Sequence, residues 1–196
     1  MKTLLFSKTH ILWSFMKGII LNTFKEYVLE TFTPDIWHRA LIRVGLNPFT
    51  EFFPIENVDN KLAKKIILAV SELTKESYQE LSEDFGCYIV KKLLPKYLKM
   101  AKTFEEFLYL LKDISVEISS RGSISPSDEL KYRVIEENSN TYIVCYETKV
   151  FHPDIMAGVI ECVGDYYNED VQIIKKRARY LIVRVLSQGG DEGKGS

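Results

Sequence analysis

The chain has 196 residues, of which 46% are hydrophobic and 27% charged. That is enough for one domain with a real core, and short of two. Its 26 basic and 27 acidic residues leave a net charge of −1, which offers no electrostatic pull toward nucleic acid or an anionic membrane.

No run approaches 18 uncharged apolar residues, the length a membrane-spanning helix needs. The three cysteines, Cys87, Cys145 and Cys162, stand far apart with no CxxC pair. An odd, scattered set argues against a disulfide framework and fits a reducing, cytoplasmic compartment. Residues 1–15 read as an upstream extension. Their apolar run is broken by Ser7-Lys8-Thr9-His10, and no small-residue cleavage site precedes Met16. Residues 16–187 form the domain, and the Gly-rich end, 188–196, reads as a flexible tail.

The first two-thirds of the domain is predicted helical. Gly18 to Glu30 carries Ile20, Phe24, Tyr27 and Val28 at helical spacing. Thr33-Pro34-Asp35 starts a second helix, with Thr as cap, Pro in the first turn and an acid beside it. This helix runs to about Val44 and stops at Gly45. A loop with Pro48 and Pro54 leads to a third helix, Asn60 to Leu73. Thr74 is read as the cap of the next, with a bend or interruption at Gly86 and again at Pro95.

Thr103-Phe104-Glu105-Glu106 has the form of a capping box. The helix it opens places Phe104, Phe107, Leu108, Leu111, Ser115 and Ile118 on one face at spacings of three and four. Ser115 is the single polar member of that stripe. After a Ser/Gly/Pro loop the pattern changes to strands. Leu130 to Glu136 and Thr141 to Thr148 flank a turn at Asn138-Ser139-Asn140. A helix from Pro153 to Tyr167 precedes a second hairpin, Val171 to Lys176 and Tyr180 to Leu186. The basic strip Lys175-Lys176-Arg177-Ala178-Arg179 reads as the solvated turn of that hairpin. Helices first, then strands with one inserted helix, describes an α+β fold with an antiparallel sheet.

No catalytic signature is present: there is no Gly-rich phosphate loop, no HExxH and no GxSxG. The chain reads as a binding or sensory domain rather than an enzyme. His10, His38 and His152 lie in separate segments with no metal-site spacing. His38 reads as a surface or packing histidine, and His152, before Pro153, as a turn residue.

Met16-Lys17-Gly18-Ile19-Ile20-Leu21-Asn22 resembles the start of haem-NO/oxygen-binding (H-NOX) domains. Tyr27-Val28-Leu29-Glu30, Trp37 and Val44-Gly45-Leu46 continue the likeness. So do Ser71-Glu72-Leu73, Leu81-Ser82-Glu83-Asp84-Phe85-Gly86-Cys87-Tyr88 and Phe107-Leu108-Tyr109-Leu110-Leu111. The likeness extends from about Met16 to Leu186.

The resemblance implies a sensor in which haem b lies between a helical lobe and a lobe of helices and sheet. A histidine holds the iron, and a Tyr-x-Ser-x-Arg strand motif clamps the propionates. A signalling protein in trans (a kinase, cyclase or chemoreceptor) or a like subunit in a homodimer reads the shift produced by NO or O₂.

On this alignment the iron-ligand position falls on Ser115, flanked by Phe107, Leu108, Leu111 and Ile118 as pocket lining. A serine hydroxyl is a poor ligand for ferrous haem. Anchored on Gly158, the clamp falls on Cys145-Tyr146-Glu147-Thr148-Lys149. Lys149 keeps a charge without the fork of arginine, and Glu147 sets a carboxylate beside the propionates. A one-residue shift gives Tyr146-x-Thr148-x-Val150 and turns the other strand face inward. Three readings follow: a haem-free regulatory member of the fold, a gas sensor whose iron ligand has moved to His152 or Cys145, and a lipid or small-molecule scaffold of the wider superfamily.

Overall fold

The computed structural model describes residues 15–54, 56–120, 131–147 and 153–186. A short strand β1 (Phe15–Lys17) leads into α1 (Gly18–Thr31) and α2 (Pro34–Arg43), and β2 (Asn57–Asp59) returns to pair with β1. Then come α3 (Asn60–Thr74), α4 (Tyr78–Leu93), α5 (Pro95–Met100) and α6 (Phe104–Ser120). The hairpin β3 (Lys131–Asn138) and β4 (Thr141–Glu147) is followed by α7 (Pro153–Tyr166) and the hairpin β5 (Asp170–Arg177) and β6 (Tyr180–Leu186). The four long strands form one antiparallel sheet in the order β3-β4-β6-β5. This is the α+β arrangement the sequence predicts.

The β1–β2 pair, invisible to periodicity at three residues a strand, fixes the start of α1. The Gly18 amide donates to the Glu56 carbonyl at 2.9 Å. A Cβ at position 18 would collide with the Phe53 carbonyl, so only glycine fits there. From that point Ile20, Leu21, Phe24, Tyr27 and Val28 turn inward. Phe24 packs edge-on against Phe85 of α4, ring centroids 4.9 Å apart, and against Trp37 of α2.

The helix starts differ from expectation in two places. Thr74 does not cap α4. It is the last residue of α3, and its hydroxyl donates back to the Val70 carbonyl at 3.0 Å. The left-handed Lys75 (φ 65°) ends that helix. Ser77 caps α4 instead, accepting from the Glu80 amide while its own amide donates to the Glu80 carboxylate, each at 3.1 Å. Before α6, Thr103 accepts from the Glu106 amide at 3.1 Å, but the Glu106 carboxylate takes the Lys102 amide. That box is therefore half formed.

Gly86 does not interrupt α4, which runs continuously to Leu93 and yields to α5 at Pro95. Its role is packing. A Cβ there would strike the Ile155 carbonyl of α7, and one on Gly158 would strike the Glu83 carbonyl of α4. The two helices thus cross backbone to backbone. α7 in turn lies on the sheet, with Gly164 against the Val171 side chain.

The expectation of no disulfide framework is corrected at this crossing: Cys87 of α4 and Cys162 of α7 are joined in a disulfide, and Cys145 is the free cysteine. Spacing alone could not show it, because 75 residues separate the pair.

The basic strip is also corrected. A bulge in β5 between Ile173 and Lys175 shifts the register against β6. Val171 and Ile173 face inward before it and Lys176 after it, while Ile174 is left exposed. Lys176 is therefore not a solvated turn residue. Its ammonium sits 2.6 Å from Glu83 of α4 and 2.8 Å from Asp154 of α7.

Candidate ligand face on α6 and β4

On α6, Phe107, Leu108 and Leu111 are buried, as the stripe predicts. Ile114, which the sequence reading passed over, is buried with them. Ser115 and Ile118 belong to the same helix, but their side chains lie outside the described structure. The first half of α6 is anchored by Tyr167, just beyond α7. Its hydroxyl donates to the Leu98 carbonyl at 2.8 Å, and its ring lies 6.4 Å from that of Phe107. Tyr142 of β4 is buried. Burial, and then the Glu105 carboxylate of α6, push its phenol above the usual range.

Along β4 the alternation is sharp. Tyr142, Val144 and Tyr146 are buried, while Ile143 and Cys145 are half-buried. Tyr142 pairs with Val183 and Val144 with Leu181, both buried, so these residues share one inner face. Tyr146 faces inward with them. The Tyr146 hydroxyl donates to the Arg177 carbonyl at 3.0 Å, and its amide donates to the Arg179 carbonyl at 2.9 Å. Burial, with the Asp154 carboxylate second, drives this phenol far above the ordinary tyrosine range. Glu147 ends β4 with its side chain outside the described structure; Thr148, Lys149 and His152 lie outside the described residues altogether.

Beside Tyr146 sits a polar cluster that sequence reasoning missed. Lys176 joins Asp154 and Glu83 across β5, α7 and α4. Its pKa is raised. Burial works against the charge, but hydrogen bonds to Asp154 and Glu83 outweigh it. Glu161, one turn from the Gly158 crossing, has a carboxyl pushed upward by burial first and by Glu83 second. The only forewarning was a run of cations in a strand-like segment, and the bulge that turns one of them inward leaves no mark in composition.

Other donors are scattered. His38 on α2 rests against Phe49, ring centroids 5.4 Å apart. Among the described residues no group of three His, Cys, Asp or Glu side chains is placed to hold a metal ion. No described helix is long and apolar enough to cross a membrane.

Comparison with solved structures finds the same fold repeatedly. A structure from a study of haem distortion in the H-NOX family superposes with a TM-score of 0.74 at 19% identity, covering 92% of this chain and all of the other. An oxygen-binding H-NOX domain related to soluble guanylate cyclases, in its oxygen complex, gives 0.69 at 17% identity over the same shares. A structure from a study of the molecular mechanism of H-NOX activation gives 0.70 at 20%, covering 87% of this chain and 95% of that one. No curated protein matches. The haem-NO-binding family model matches residues 17–175, a span from β1 through the bulge of β5, and by that match this chain belongs to the haem-NO-binding family.

Proposed function

We propose that this chain is a regulatory domain of its family that does not hold haem in the family manner, and that a signalling protein in trans or a second copy reads its state. The observation that carries this reading is the composition of α6. Haem iron needs an axial imidazole, thiolate, thioether or phenolate donor. The helix to which the resemblance assigns that donor contains no histidine, cysteine or methionine, and its one tyrosine, Tyr109, is exposed. Position 115, four residues beyond buried Leu111, is serine.

The other donors among the described residues support the same reading. Cys87 and Cys162 are bonded to each other, and His38 of α2 packs against Phe49. The Cys145 thiol belongs to the β4 face opposite Tyr146. The Tyr146 hydroxyl is committed to the Arg177 carbonyl rather than free for a carboxylate. These residues do not suit haem b.

Titration of the purified protein with haem, followed by absorption before and after addition of NO, tests the reading. The expected spectrum is that of free haem throughout. A stable Soret band at one haem per chain would overturn it. In that event loss of the band in Cys145→Ala or His152→Ala would identify a relocated ligand.

A further inference from the structure

The Cys87–Cys162 pair occupies a place that gives it more than a stapling role. Cys87 follows Gly86 directly on α4, and Cys162 lies one turn beyond Gly158 on α7. The two glycines let the helix backbones touch, and that approach brings the Cα atoms of Cys87 and Cys162 to 5.2 Å. This separation lies inside the span that a disulfide bridges without backbone movement. Both residues are half-buried rather than sealed in the core, so an external thiol can reach them. The bond closes a loop that contains α5, α6, β3 and β4.

We propose that Cys87 and Cys162 form a thiol–disulfide exchange site, whose oxidised state locks α7 against α4 and whose reduced state leaves them held only by the glycine crossing and the Lys176 ion pairs. The reductant is a dithiol. Its thiolate attacks one sulfur of the bridge, forming a mixed disulfide and expelling the other cysteine as a thiolate. The reductant's second thiolate then displaces the remaining cysteine. Two electrons and two protons pass from the reductant to the protein, and the reductant leaves as its cyclic disulfide. The reverse reaction with a disulfide oxidant restores the bond.

Two features keep both states folded. The glycine crossing holds the helices together without the bond, and Lys176 ties Glu83 of α4 to Asp154 of α7. With the two thiols held face to face, re-oxidation is effectively intramolecular. The bond alone changes, and with it the freedom of α7, the sheet it carries and the enclosed α6. This input is independent of whether haem binds.

The test uses the whole chain under native conditions. The protein is equilibrated with reduced or oxidised dithiothreitol, alkylated and analysed by peptide mass, with amide hydrogen exchange measured on both states. Cys87 and Cys162 are expected to interconvert reversibly without denaturant. On reduction, exchange in α6 and α7 is expected to rise severalfold while α1–α3 stay unchanged. Cys145→Ser should respond as wild type does, and Cys87→Ser should show the reduced pattern in either buffer. Three alkylated cysteines in the oxidising buffer would overturn the proposal. So would a bridge that opens only on unfolding, or identical exchange in the two states. The wild-type comparison decides even if Cys87→Ser fails to fold.

Discussion

Lys176 reaches Asp154, 2.8 Å from ammonium to carboxylate, because a single extra residue in β5 turns the lysine toward α7. Glu83 completes the contact from α4. The group is partly buried, so its worth falls between that of a surface ion pair and a buried one. Lys176→Met is expected to lower unfolding stability by about 1–3 kcal/mol, read as a lower denaturant midpoint. Because the lysine pKa is raised in the folded state, the contribution is complete below the ordinary lysine pKa. It is lost as pH rises through the raised value. Deleting Ile174 should remove the bulge yet keep Lys176 opposite Leu181 on the inner face, so most of the ion-pair contribution should survive it.

The α4–α7 crossing has no room for a methyl group on either side. Gly158→Ala and Gly86→Ala are each expected to destabilise by about 1–3 kcal/mol or more, as overpacking does. The double variant should cost less than the sum, since one displacement relieves both clashes. Equal and additive effects from chemical denaturation would show that the helices do not share a contact.

Much of this architecture was legible in the sequence, and the failures have physical causes. α1, α2 and α6 were readable because their apolar residues recur at helical spacing, and α2 and α6 also open on recognisable starts. The start of α4 was misplaced because Thr74 and Ser77 are both good caps. The choice between them depends on Lys75 adopting a left-handed conformation. The sequence offers two clamp registers because one residue of slip exchanges Cys145 for Tyr146. Only the burial of Tyr142, Val144 and Tyr146 orients the strand there. The disulfide and the Lys176 cluster are long-range contacts made by a helix crossing and a bulge, neither of which has a local signature.

Tyr146→Phe keeps the ring and removes the hydroxyl from the Arg177 carbonyl. Its expected cost is about 1 kcal/mol, that of one hydrogen bond. In the wild type, ultraviolet titration should show this phenol resisting ionisation above the ordinary tyrosine range until the protein unfolds. Between the unfolded and folded pKa values the folded chain holds the proton more tightly, so stability falls as alkalinity increases.

Glu161 has the opposite character to a salt-bridged acid. Its carboxyl pKa is raised by burial and by Glu83. The folded state therefore binds its proton more tightly than the unfolded state does. Stability is expected to decline as pH climbs from the ordinary glutamate value through the raised one, with the full penalty present above it. Glu161→Gln should flatten that decline and raise the midpoint at neutral pH. An unchanged pH profile would show the carboxylate to be fully solvated.

α7 touches α4 through Gly158 on one side and β5 through Gly164 on the other, with no flexible side chain interposed at the α4 crossing. Interiors packed this tightly behave as incompressible spacers. A sideways step of α4 therefore cannot be absorbed by side-chain rearrangement at the Gly158 crossing and must be handed on to the sheet. Residues that lack a side chain thus carry a displacement of α4 through α7 to β5.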